Sequence, residues 1–217
     1  MTVPVAFIPD IVPFRRAEGV VERCSESLSG AGAEYVVVPG SMFLDCSRLR
    51  GCLLVVNALH ACLDEARSRG LGTVMFVPPW FEVNDQSGFR RGVEDAFDAV
   101  VHSKCACVAM HIPPNMPLPQ PLGQYVLLPT ECGAPGVMRL ATRLYACAEL
   151  FCFSVPQMVS VDRMLSMLDG CYAKSGQWMK DDMAGMSNYG YIDENSQMVL
   201  VDSRPFRDVL GISTVFS

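Results

Sequence analysis

Charge is scarce in this 217-residue chain: Asp, Glu, Lys and Arg together make up 18% of it, against the roughly 25% usual in soluble domains. Basic residues are the scarcer kind, with 17 Lys and Arg against 23 Asp and Glu and a formal net charge of -6. That balance argues against a general nucleic-acid-binding face, which needs a basic surface. The local basic pairs, Arg15-Arg16 and Arg90-Arg91, are too few to grip RNA tightly. The three histidines, His60, His102 and His111, have no metal-ligand spacing. The ten cysteines contain no C-x-x-C pair, which argues against zinc. No Gly-x-Gly-x-x-Gly or phosphate-binding loop occurs either, so nothing local announces a nucleotide. The opening "MTVPVAFIPDIVPFRRAEG" lacks the basic lead and sustained apolar run of a signal peptide. The longest greasy stretch, Leu144 to Val155, carries Glu149 and falls short of the roughly 18 residues that span a bilayer.

Apolar residues are abundant instead, at 50%. So large a fraction predicts exposed hydrophobic area that something covers, a protein partner or a second copy; RNA contact is expected to be weak at most, and no membrane or DNA is expected. Cysteines inside apolar runs such as "LYACAELFCF" and "GCLLVV" act as small hydrophobes in a reducing compartment, the cytoplasm or nucleus.

Strand-like and helix-like segments alternate. Residues 1–13, apolar and punctuated by proline, predict an arm or edge strand, and "RRAEGVVERCSESLSGAG" predicts a helix stopped by Gly30 and Gly32. Tyr35 to Val38 predicts the first core strand, ending at Pro39-Gly40. Leu49, Leu53, Val56, Leu59 and Leu63 recur at helical spacing up to Gly70, and Thr73 to Val77 predicts a second strand closed by Pro78-Pro79. The two strands and their helix form a crossover unit, so parallel pairing is expected. "SGFRRGVEDAFDAVVHS" predicts another helix and "CACVAMHI" a third strand. Residues 113–136 are rich in proline and predict an insertion loop with "YVLLP" as a short strand inside it, while "GVMRLATRLYACAELF" predicts a helix. "VSVDRMLSMLDGCYAK" predicts a helix with Asp162 near its start, and "QMVLVDSRPFRDVLG" a strand and turn leading to Asp208. Residues 1–33 then form an arm and helix, and 34–217 one α/β domain with the proline-rich insertion.

Gly40-Ser41, Arg50-Gly51, Val77-Pro78-Pro79-Trp80, Asp85-Gln86, Val161-Asp162-Arg163 and Asp202-Ser203-Arg204 followed by Arg207-Asp208 occur in an order that resembles the NYN subgroup of PIN-like nucleases, closest to the Regnase type. The resemblance implies a three-layer α/β fold with a central, mainly parallel sheet. Such nucleases cluster carboxylates at the carboxyl ends of parallel strands to hold Mg²⁺ or Mn²⁺. By the resemblance, the family's acidic and amide positions fall here on Pro39, Met42, Val161 and Arg204, none of which ligates a divalent cation. Asp162 and Asp208 remain. The implied function is a catalytically inactive nuclease-like domain serving as a protein-interaction or RNA-associated scaffold, with no cofactor. The alternative is an active divalent-metal endoribonuclease in which a register slip brings in Asp202, or Asp45, beside Asp162 and Asp208. A third reading is a small-molecule α/β domain with its pocket at the strand ends. Trp80 and Phe81 read either as stacking platforms or as caps on the core.

Overall fold

The computed structural model describes residues 3–11, 18–43, 52–103, 105–111, 127–129, 137–140, 155–175, 197–200 and 205–210. Strands β1 (Ala6–Pro9), β2 (Tyr35–Val38) and β3 (Thr73–Phe76) are joined through helices α1 (Val20–Gly30) and α2 (Cys52–Ser68). There follow β4 (Phe81–Val83), α3 (Gln86–His102), β5 (Cys107–Ala109), β6 (Leu127–Pro129), β7 (Val137–Leu140), β8 (Gln157–Ser160), α4 (Val161–Ser175), β9 (Gln197–Leu200) and β10 (Phe206–Asp208). Among the described residues, eight strands make one sheet in the order β2-β1-β3-β8-β5-β9-β7-β6, and β4 pairs with β10 in a separate ribbon. Strands β1, β2, β3, β5, β6 and β9 point one way, β7 and β8 the other. The sheet is therefore mixed and mostly parallel, flanked by helices.

Local signals set the helix ends. At the end of α1 the Ala33 amide reaches back to Leu28 O (3.0 Å) across Gly32, which has φ +81. Leu71 N does the same to Ala66 O (3.0 Å) across Gly70 at the end of α2. Both are glycine-terminated turns of the kind an L side chain resists. Helix α3 starts where the Asp85 carboxylate accepts the Ser87 amide (3.0 Å), an N-cap that supplies a partner for a backbone donor lacking one inside the helix. Asp85-Gln86, read from the sequence as part of a nuclease-like motif, is thus accounted for by helix capping.

Four sequence expectations are corrected. The first is the placing of residues 1–13 as an arm or edge strand: β1 lies inside the sheet, parallel to β2 on one side and β3 on the other, with all four residues buried. A strand covered on both faces carries an unbroken apolar run, and "AFIP" is one. The second is Tyr35 to Val38 as the core strand. Strand β2 is the sheet's edge, and Tyr35 and Val37 are exposed. Third, the stretch expected to be helical from Gly136 opens as β7, antiparallel to β9. Fourth, the helix that begins at Val161 is preceded by a strand, β8, that the sequence reading had merged into it. The strand at "YVLLP" and the parallel direction of β2 and β3 do form, although β1 stands between those two strands.

Helices α1 and α2 lie on opposite faces if their two connections have the same hand, because β1 to β2 steps one way across the sheet and β2 to β3 steps back. On the face of α1 lie α3 and the β4–β10 ribbon. Val83 N donates to Ser27 Oγ (3.1 Å), and Phe89 of α3 meets Phe206 of β10 edge to face at 5.5 Å. On the other face α2 and α4 touch, with His60 Nε2 3.1 Å from Asp169 Oδ1. Phe7, Ile8, Leu28, Leu59, Leu63, Phe76, Trp80 and Phe89 are all fully buried between these layers. No helix among the described residues is long and apolar enough to cross a membrane.

Candidate functional site at the carboxyl rim of the sheet

Strand order fixes where a ligand can enter. From β1 the chain passes to β2 on one side, and from β2 it returns to β3 on the other. In open α/β sheets ligands bind outside the carboxyl ends of the strands at such a reversal of strand order. Here that reversal falls at the carboxyl ends of β1 and β3, where the crevice is expected.

Its first wall follows β1. Asp10 is exposed and Ile11 is buried. The Asp10 amide donates to Val38 O (2.8 Å), which fixes the backbone while the carboxylate stays in solvent. The second wall follows β2: Pro39 to Met42 are exposed, and Gly40–Met42 form a single 3-10 turn closed by Met42 N to Pro39 O (2.9 Å). A Cβ on Gly40 would stand 3.4 Å from Asp10 O, so this turn lies close against the backbone after β1. The third wall follows β3. Val77 N donates to Phe7 O (2.9 Å), Pro78 and Pro79 are buried, and Phe81 N turns back to Pro78 O (3.1 Å). Trp80 is wholly buried, so of its two sequence readings the cap on the core is the one that forms. Further along the same rim, Met110 N after β5 donates to Pro156 O (2.7 Å), and the His111 ring packs edge-on to Phe81 at 4.9 Å. Strand β8 runs antiparallel, so its first residue, Gln157, is level with Phe76 and Ala109 at this rim.

The residues expected from the sequence to make a site do not gather here. Pro39 and Met42 are at the rim, with Met42 48% exposed. Val161 and Asp162 are at the other end of the sheet, since β8 ends with Ser160 opposite Thr73 and Val161 N donates to Gly72 O (3.0 Å). Val161 is buried and Asp162 exposed. Asp208 sits in the β10 ribbon opposite Phe81, where its Oδ1 accepts the Leu210 amide (3.1 Å). Arg163, part of the same expected motif, holds backbone carbonyls instead: its Nη1 donates to Val100 O (3.0 Å), Ser103 O (2.9 Å) and Cys105 O (2.8 Å). Asp45, Asp202 and Arg204 lie outside the described residues. Among the described residues no three His, Cys, Asp or Glu side chains are placed to hold a metal ion.

Asp10 and Gln157 were not singled out from the sequence. Asp10 is the first acid after the apolar run of β1, a signal hidden once residues 1–13 are read as an arm. Gln157 is the lone polar side chain opening a strand that the sequence reading did not separate from α4.

No family model matches the chain, and no curated protein matches it significantly. Among solved structures, the fold is similar over 96% of this chain and 76% of the other to a crystal structure described as mannose-1-phosphate geranyltransferase from Thermus thermophilus, with a TM-score of 0.50 and 12% identity. It is equally similar, with a TM-score of 0.50 and 9% identity over 98% of each chain, to a glycosyltransferase involved in the glycosylation of the major capsid of PBCV-1. At such identities the likeness is one of fold. It overturns the resemblance to NYN and PIN-like nucleases, whose implied site the structure splits between two ends of the sheet. With that resemblance fall both readings built on it, the inactive nuclease-like scaffold of RNA metabolism and the divalent-metal endoribonuclease. The structures similar in fold are enzymes of group transfer, not nucleases.

Proposed function

We propose that the chain binds a nucleotide-activated sugar in the crevice above β1 and β3 and acts in glycosyl transfer. The observation that carries this reading is the reversal of strand order at β1, with the exposed Asp10 and the exposed turn at Gly40–Met42 as the crevice's two rims. Open sheets of this kind take nucleotides at that point. The likeness of the whole chain to the two transferase structures supports the choice of group transfer. Asp10 accepts hydrogen bonds from ligand hydroxyls, as a solvated carboxylate can with both oxygens. Gly40 keeps the facing wall low enough for a ligand to approach the backbone after β1.

Thermal unfolding with a panel of nucleoside diphosphate sugars and nucleoside diphosphates tests the reading. A ligand at a hundred times its Kd stabilises a protein by about 2.7 kcal/mol, an upward shift in Tm of several degrees. Asp10→Asn is expected to weaken the best ligand about tenfold without changing ligand-free stability, since the side chain is exposed. A panel with no stabilising member at millimolar concentration, or a shift untouched by Asp10→Asn and by Gly40→Val, refutes it.

A further inference from the structure

Two side chains at the carboxyl rim are buried with polar atoms that no group among the described residues satisfies. Gln157 is 0% exposed, and among the described residues neither its Oε1 nor its Nε2 has a hydrogen-bond partner. Trp80 is 0% exposed, and its indole Nε1 has none. Native proteins pair almost all such atoms, because a buried donor or acceptor left alone is costly. Both belong to the same stretch of rim. Gln157 is level with the last residue of β3, Phe76, and Trp80 follows β3 by four positions, on the turn Pro78–Phe81.

We propose that Gln157 and Trp80 form a subsite for an uncharged hydroxyl-bearing group, the sugar of the donor placed in the crevice above. This rests on the reading of the crevice as a nucleotide-sugar site. The atoms match in kind: the Gln157 amide offers two donor protons and an acceptor oxygen, and Trp80 one donor. Sugar hydroxyls supply both donors and acceptors, the kinds of partner these three atoms lack. Both side chains are neutral, so a charged group set against them would lose its hydration and gain no countercharge from either. Phosphate is thereby assigned to the open side of the crevice and the sugar to the buried side.

The experiment compares wild type with Gln157→Leu and Trp80→Phe, each of which removes the orphaned atoms and keeps most of the volume. The first readout is ligand-free stability. Replacing an unsatisfied buried amide with leucine is expected to leave stability unchanged or raise it; a clear loss for Gln157→Leu would mean the amide has protein partners and overturns the subsite. The second is affinity for the nucleoside diphosphate sugar that stabilises wild type best, measured beside the nucleoside diphosphate alone. Each variant is expected to lose about tenfold or more toward the sugar nucleotide and to bind the sugar-free nucleotide as wild type does. An equal loss for both ligands, or no loss for either because ordered water alone meets these atoms, overturns the subsite while leaving the nucleotide crevice standing. The third is saturation-transfer NMR with free glucose, galactose and mannose. Contact seen in wild type and lost in Gln157→Leu supports the subsite even if every nucleotide fails to bind; absence of contact with all sugars, free and activated, overturns it.

Discussion

Arg163 is expected to hold α3 to α4, and removing its guanidinium measures what that junction contributes. Its Nη1 donates to Val100 O at 3.0 Å, Ser103 O at 2.9 Å and Cys105 O at 2.8 Å. Val100 lies in the last turn of α3, where carbonyls have no partner within the helix. The other two oxygens belong to the turn that follows. One nitrogen has two protons, so three acceptors share at most two full bonds. A hydrogen bond to a charged group contributes about 1.5–3 kcal/mol when sheltered, but Arg163 is exposed, and water replaces part of what is lost. Arg163→Met keeps the aliphatic stem and removes the donors, so a loss of about 1–3 kcal/mol is expected. At about 2–4 °C per kcal/mol for a chain of this size, Tm falls by several degrees. Arg163→Lys restores only part of this, because an ammonium does not reproduce the fork of a guanidinium. Urea unfolding followed by circular dichroism, read by linear extrapolation, gives the number. The junction is at the amino rim of the sheet, away from Asp10 and Gln157, so ligand affinity is expected to stay at the wild-type value. A methionine variant within about 0.3 kcal/mol of wild type, below the roughly 0.5 kcal/mol scatter of neutral surface changes, would refute the reasoning.

Gly92 meets β9 and the ribbon so closely that a Cβ would stand 2.9 Å from Leu200 Cδ2 and 3.1 Å from Pro205 Cγ. Gly92→Ala gains about 1 kcal/mol of helix propensity but overpacks by about 1–3 kcal/mol, so a net loss is expected by urea unfolding, and a more stable variant would show that the contact gives way freely. Burial, and then the nearby Glu82 carboxylate, push the Cys24 thiol from 9.0 up to about 12. Its neutral form is favoured in the fold, so the stability it contributes is fully present below the unfolded value and is lost as pH rises toward about 12. Cys24, Cys62, Cys105 and Cys107 are buried and unbridged, and a maleimide at pH 8 is expected to reach Cys24 only as fast as the chain opens; rapid labelling of Cys24 in the native state, located by mass spectrometry, would contradict its burial.

Short-range chemistry determined much of this protein before any tertiary contact. Gly32 and Gly70 stop their helices because only glycine takes the left-handed turn without strain, and Asp85 starts α3 because its carboxylate serves amides that the helix leaves unpaired. Those are decided within a few residues, so the sequence shows them. Strand order is different. "YVVV" and "AFIP" are both apolar runs, and no residue in either states how many neighbours the strand will have; the sheet made β1 the inner strand and β2 the edge. The site turned on a single direction. Read as the helix that follows a parallel strand, "VSVDRM" would put Asp162 at the rim that holds Pro39. Strand β8 enters the sheet antiparallel between β3 and β5, which carries Asp162 to the amino rim and leaves Gln157, at the start of the strand, beside the crevice. Direction is set by where the chain returns to the sheet, a property of the path between β7 and β8 that four residues of strand cannot encode, because hydrogen-bonding groups on a strand's edge pair with a neighbour of either direction.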